Sequence, residues 1–274
     1  MKRTSLATCL FVVVALPLAP FVFGQHESAV SKDDLPGNVV DIDSGDHFFT
    51  APASIRAGLT TFRLRQVGAF GHELSIVRIP ADKTFDEFVA LRVADKPTPW
   101  AVNLGGPGFI DPPLFTNATL VMEPGNYAFV CVIIPPGDAP EHRLMVRPFQ
   151  VVPSPDALSK EPQADLVVRI LDDDFEFLPA LLAGRHVLRV ENATSERRFI
   201  RMERVLPGKT VEQALNWGRR RLTVPETERP TEPKGRLAGF EAGQHLIMTV
   251  NLQPGTYLVS SGQRRTSSKV FVVP

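Results

Sequence analysis

Cys131 is the residue that most needs a chemical explanation. The sequence holds two cysteines, and the other, Cys9, lies in an uncharged apolar run from Leu6 to about Phe23 that follows Lys2 and Arg3. Such a run behind a basic start is the pattern of a secretory signal peptide. Pro17 and Pro20 interrupt it, and Val22-Phe23-Gly24 gives way to polar Gln25-His26-Glu27, so the reading is a cleaved leader, residues 1–24, and not a membrane anchor. Cys9 follows Thr8 and has no room for an apolar region before it, which argues against lipidation. An exported protein normally pairs its cysteines, yet the mature chain keeps Cys131 alone. A lone thiol is either a small buried hydrophobe or a thiolate, whose uses are metal ligation and redox chemistry.

The segment GNYAFVCVIIPPGDAPEHRLMVRPFQVV (125–152) sets Cys131 at the end of a strand, then a Pro/Gly loop, then His142 and Met145 at the head of a last strand. Taken singly, His142 between Glu141 and Arg143 reads as a solvated loop residue, and Met145 as core filler. Together, the order resembles the C-terminal half of a cupredoxin, the blue-copper fold, in which a strand ending in Cys leads through a loop with His and Met into the final strand. The family completes its site with an upstream His on a separate loop, and His72 matches it, opening His72-Glu73-Leu74-Ser75-Ile76 behind the turn Gly68-Ala69-Phe70-Gly71. The resemblance implies one copper ion per chain, held by His72, Cys131, His142 and Met145. A thiolate and two imidazoles would form a trigonal plane, and a distant thioether would tune the potential. The ten residues between Cys131 and His142 exceed the usual family spacing, so the loop 132–141 would have to fold back.

The elements that would position these residues recur along the chain. HFFTAPASIRAG (47–58) answers FEFLPALLAG (175–184), IVRIPADKTFDEFVAL (76–91) answers RMERVLPGKTVEQAL (201–215), and Pro124-Gly125-Asn126-Tyr127 answers Pro254-Gly255-Thr256-Tyr257. Both halves finish on Val-Val-Pro, at 151–153 and 272–274. Matches in the same order at several points read as an internal duplication. Phe62/Leu64, Leu74/Ile76 and Leu120/Met122 alternate at period two, which predicts strands. Thr84-Phe85-Asp86-Glu87 and Thr210-Val211-Glu212-Gln213 are capping boxes, predicting helices near 84–93 and 210–220. The expected fold is all-β: two tandem Greek-key β-sandwiches, cupredoxin-like, each with one short inserted helix. The expected domains are 25–153, carrying the site, and 165–274, joined by a polar linker at 154–164. In the second copy Arg198 aligns with His72 and Ser261 with Cys131, and the loop bearing His142 is missing, so that copy is expected to hold no metal.

Thirty basic and thirty acidic residues balance, and losing Lys2 and Arg3 with the leader moves the mature chain to about −2, which gives no ground for nucleic-acid binding. Asp172-Asp173-Asp174 lacks the spacing of a calcium loop, and the basic cluster Arg219-Arg220-Arg221, Arg229, Lys234 and Arg236 reads as a solvated face or a dock for an acidic partner. No Ser/His/Asp set, paired carboxylates or phosphate loop is present, so the expectation is that the chain is not an enzyme; a multicopper oxidase would need more histidines. The reading is a periplasmic or secreted protein without a membrane anchor, carrying electrons through one copper to a transient redox partner protein. The rival is a metal-free β-sandwich module of the cell envelope.

Overall fold

The structure is a computed structural model and describes residues 30–112, 114–133, 144–155, 160–220, 228–262 and 267–274, without the side chains of 218–220. The expected leader, residues 1–24, and His142 lie outside the described residues.

Alternation sets the first strands. In β1 (Asn38–Ser44) and β4 (Gly58–Gln66), Val40, Ile42, Phe62 and Leu64 turn inward. Their neighbours Arg63 and Arg65 turn out and meet Asp41 and Asp43 across a parallel register, at 3.2 and 2.6 Å. β2 (Phe49–Thr50) and β7 (Phe115–Met122) extend this sheet. The facing sheet contains β3 (Ser54–Arg56), β5 (Ser75–Ile79), β6 (Val102–Asn103), β8 (Gly125–Cys131) and β9 (Met145–Val152), in the order β3-β9-β8-β5-β6. Between the layers Phe129 stacks on Phe149 at 4.0 Å, and Phe62 meets both rings edge-on.

The later strands are β10 (Leu166–Ile170), β11 (Phe175–Leu178), β12 (Gly184–Asn192), β13 (Arg198–Val205), β14 (Thr231–Phe240), β15 (His245–Leu252), β16 (Gly255–Ser261) and β17 (Ser267–Val273). Their pairings follow those of the earlier ones. Val40↔Phe62 is answered by Leu166↔Leu188, Ile76↔Phe129 by Met202↔Val259, and Gly125↔Val151 by Gly255↔Val273. Tyr127 and Tyr257 each donate from the phenol to the backbone carbonyl four residues earlier, at 2.9 Å.

Two helices form among the described residues, α1 (Phe85–Val93) and α2 (Val211–Arg220). Thr210 and Gln213 make both hydrogen bonds of a capping box, whereas Thr84 caps Glu87 N–H and the Glu87 carboxylate takes Lys83 Nζ instead. Phe85, Phe88 and Val89 pack on Val77, Ile79 and Val130; Val211, Ala214 and Leu215 pack on Val205 and Leu258. The apolar stripes predicted for both helices thus face the sheets.

The all-β expectation holds, but two separate Greek-key sandwiches do not describe the sheets. Parallel pairs (β1–β4, β3–β9, β10–β12) make them mixed. One eight-stranded sheet, β11-β10-β12-β15-β7-β4-β1-β2, runs through both halves. Its joint is β7–β15 at Thr119↔Ile247, where the Asn117 side chain donates to Thr249 O and accepts from Thr249 N, each at 2.8 Å. Joining two strand edges satisfies backbone groups that would otherwise be left open.

The other layer is joined by a strap, residues 104–110. On one side Ile76 N–H and Leu74 N–H donate to Gly105 O and Pro107 O, at 2.8 and 2.9 Å. On the other, Gly108 N–H donates to Arg236 O at 2.9 Å and Ala238 N–H to Gly106 O at 2.8 Å. Gly108 fits because a Cβ there would lie 2.7–2.8 Å from the main chain of Arg236 and Leu237. Gly108→Ala is therefore expected to destabilise the protein by about 1–3 kcal/mol, the usual penalty of overpacking; denaturant unfolding checks this, and parental stability would refute the close approach.

Beneath the strap, three members of the basic cluster form neither a solvated face nor an outward dock; the side chains of Arg219, Arg220 and Arg221 lie outside the described residues. Arg229, Lys234 and Arg236 are buried. Arg229 pairs with Asp111 at 2.8 Å and with Glu203 at 2.7 Å, Arg236 pairs with Glu203, and Lys234 pairs with Glu232 at 2.8 Å. Composition suggested solvent because cations seldom lie buried unless paired; here Glu203 of β13, Asp111 after the strap and Glu232 of β14 itself supply the pairing.

Candidate metal centre

Cys131 ends β8, where inward alternation through Tyr127 and Phe129 turns its side chain into the core at 1% exposure. Across the sheet its partner in register is Met145, the first residue of β9, at 4% exposure. Directly opposed residues share a face of the sheet, so thiol and thioether enter the core side by side. His72 is fully buried and is held by a two-way backbone bridge to Ile110, at 3.2 and 2.9 Å. Its Nδ1 lies 3.6 Å from Cys131 Sγ.

The imidazole has a defined orientation. Asp46 accepts from the backbone N–H groups of Ala69 and Phe70, at 3.1 and 2.9 Å, and so fixes the turn that delivers His72. The same carboxylate has Oδ1 3.9 Å from His72 Nε2. A carboxylate on that side favours the proton on Nε2 and leaves the Nδ1 lone pair toward the sulfur, the usual arrangement behind a ligating histidine. The thiol is held from behind as well. Burial pushes its pKa up to about 12, against the pull of backbone N–H groups of Ile133, 3.4 Å from Sγ, and Glu73. In this state Cys131 is a neutral thiol; a bound soft cation would favour the thiolate.

The structure brings His72, Cys131 and Met145 to one end of the first core. His142, the fourth expected ligand, lies outside the described residues. Among the described residues no cluster of three or more His, Cys, Asp or Glu side chains is arranged to hold a metal. The donors present do suit copper: an imidazole nitrogen facing a sulfur across a gap in which one ion can touch both, with a thioether beside them. Sequence reasoning missed Asp46 and the backbone donors at Glu73 and Ile133. A carboxylate in a loop carries no sequence mark of its partner, and main-chain donors carry none at all.

The corresponding end of the second half is built differently. Ser261 pairs with Ile200 and Ser267, and Arg198 lies buried, its Nε donating to Thr194 Oγ1 at 3.3 Å with Asp172 and Glu196 3.8 and 3.7 Å from its Nη2. Five residues, 262–266, connect Ser261 to β17, against thirteen, 132–144, between Cys131 and β9. Of the other histidines, His186 Nδ1 lies 2.7 Å from an Asp165 carboxylate oxygen and His245 Nε2 lies 2.6 Å from one of Glu161.

No protein-family model and no curated protein matches the chain. Among solved structures it is similar to a multicopper oxidase, at 14% identity and TM-score 0.26 over 90% of this chain and 92% of the other. It is also similar to auracyanin A, a "blue" copper protein of Chloroflexus aurantiacus, at 17% identity and TM-score 0.31 over 42% of this chain and 98% of the other. A copper-containing nitrite reductase of Thermus scotoductus aligns at 10% identity and TM-score 0.21, over 86% of this chain and 61% of the other. Overlays this loose carry no argument about mechanism, which rests on the geometry above. They do correct one expectation. Two of the three are enzymes by name, so the exclusion of an enzyme is withdrawn. That exclusion rested on the lack of motifs for acyl, glycosyl and phosphoryl chemistry and on a histidine count too low for a multicopper oxidase.

Proposed function

We propose that the chain is an exported tandem cupredoxin-like protein that binds one copper ion in its first unit and carries electrons. The observation that supports this most is the buried pair His72 Nδ1 and Cys131 Sγ, 3.6 Å apart, with Met145 in register beside it. The matching strand registers of the two halves support the tandem reading, with units at 25–153 and 165–274 and a linker at 154–164. The leader, residues 1–24, supports export to the periplasm or beyond, and no helix among the described residues is long and apolar enough to cross a membrane.

Bound copper would supply one-electron exchange between Cu(I) and Cu(II). The chain's own residues do the rest. Cys131 and His72, with His142 from the loop and Met145 beside Cys131, would hold the ion. Asp46 sets the imidazole, and the N–H groups of Glu73 and Ile133 draw charge from the sulfur, which favours the electron-rich thiolate. Cys131 and Met145 stand on paired strands of a packed core, which would hold them in place when the charge of a bound ion changes.

Val67 and Phe70, in the loop that leads to His72, and Val132, next to Cys131, are exposed at 47%, 40% and 45%. An apolar rim on the same segments as the donors suits brief docking of a redox partner protein without strong affinity.

Copper titration followed by visible and paramagnetic resonance spectra tests the proposal. One copper per chain with an intense thiolate-to-copper band is expected, and His72→Ala should weaken or shift that band by opening the ligand plane. A folded, reduced protein with no such band would favour the metal-free envelope module.

A further inference from the structure

We infer that the second half of the chain positions the donor end of the first through Arg236, which clamps the strap 104–110 against the strand that follows His72; the inference rests on the copper reading only where copper is the probe. His72 N–H donates to Ile110 O and Ile110 N–H to His72 O; Leu74 and Ile76 donate to Pro107 O and Gly105 O. The backbone at His72 therefore depends on the strap for its outer hydrogen bonds. The strap depends in turn on β14, through Gly108 N–H to Arg236 O and Ala238 N–H to Gly106 O. Asn103 Nδ2 adds a bond to Gly239 O at 2.8 Å.

Arg236 joins these strands from both its main chain and its side chain. Its carbonyl accepts from Gly108 N–H and from Thr116 Oγ1, the latter at 2.9 Å. Its Nη1 donates to Phe109 O at 2.8 Å and stands 3.5 Å from Asp111 Oδ2, while Nη2 pairs with Glu203. One planar fork thus holds the strap next to Ile110, the residue that brackets His72, while anchored to β13. Lysine has a single ammonium and cannot reproduce both arms. Phe109 also lies against Gly71, where an added Cβ would collide with its ring. Movement of the strap is therefore felt both by the His72 backbone and by the turn before it.

The test uses the full chain with Arg236→Lys, which keeps the charge beside Glu203, and Lys234→Met, which removes another buried cation of β14 that pairs with Glu232. In metal-free protein, hydrogen exchange at the His72, Leu74 and Ile76 amides is expected to rise by about tenfold or more in Arg236→Lys, with the β9 amides of Phe149 and Val151 unchanged. Lys234→Met should leave the His72 group unchanged. With copper bound, Arg236→Lys should shift the thiolate-to-copper band and the copper hyperfine splitting while still binding one ion. Uniformly faster exchange in Arg236→Lys, or none at the three amides, would overturn the clamp. A parent that binds no copper would end the copper reading and leave the exchange result to decide the clamp.

Discussion

Cys131→Ser is expected to abolish the thiolate-to-copper absorption of the loaded protein while leaving a folded chain. The band needs sulfur, since a hydroxyl is a hard donor that does not replace a soft thiolate toward copper. Folding should survive because the protein already contains the outcome of this exchange. Ser261 stands at the matching register of the second half, buried at 1% exposure. The N–H groups of Ile133 and Glu73 that face Cys131 Sγ can donate to a serine oxygen instead, so stability should stay within about 1–2 kcal/mol of the parent. The converse change, Ser261→Cys, should create no second band, because the residue that aligns with His72 there is Arg198, a buried guanidinium that offers no lone pair and repels a cation. Copper titration of the two variants with denaturant melts checks both statements. A persistent band in Cys131→Ser, or two equivalent thiolate sites in the parent, would refute the single-site assignment.

The parts legible in the sequence were those fixed by local rules. Period-two alternation located β4 and β7, and threonine with an acid or amide three residues on located both helix starts. The offset between repeated segments placed Ser261 with Cys131, and the strand registers pair these two in the same way, Cys131 opposite Met145 and Ser261 opposite Ser267. The joint between the halves was not legible. Gly105-Gly106-Pro107-Gly108 carries no strand signal, yet it lies between two strands, because Gly106 and Gly108 let the main chains of Leu74 and Leu237 approach it. Nothing near Asn117 in sequence announces that its side chain bonds Thr249, 132 residues away. The basic cluster misled for the same reason: residue type gives a prior for exposure, and only the fold brings Asp111 and Glu203 to it. At the candidate metal centre, His72, Cys131 and Met145 were singled out by type and order, while Asp46 was not, because a supporting group is chosen by proximity alone.

Glu203 is where this inter-strand network should fail first. Burial by itself would raise its pKa, but Arg236 and Arg229 outweigh that and hold the carboxyl down at about 2, against an ordinary value of 4.5. Arg236, fully enclosed, is pulled below the usual guanidinium range by desolvation, with Glu203 opposing; its ordinary value is so high that it stays charged, and the pH dependence belongs to Glu203. A folded-state pKa below the unfolded one means that the stabilisation is complete above about 4.5 and is lost as pH falls toward about 2. The shift corresponds to roughly 3 kcal/mol. Glu203→Gln removes the charge that two buried guanidiniums share, while Asp111 stays beside both. Breaking a buried pair from one side costs about 3–5 kcal/mol, so this variant should be among the least stable at pH 7. Its deficit should shrink as pH falls from about 4.5 toward 2, because the parent then loses the same charge by protonation. Denaturant unfolding of both proteins across that range measures the difference directly. A deficit that stayed constant with pH would mean that Glu203 holds the strands by shape and not by charge.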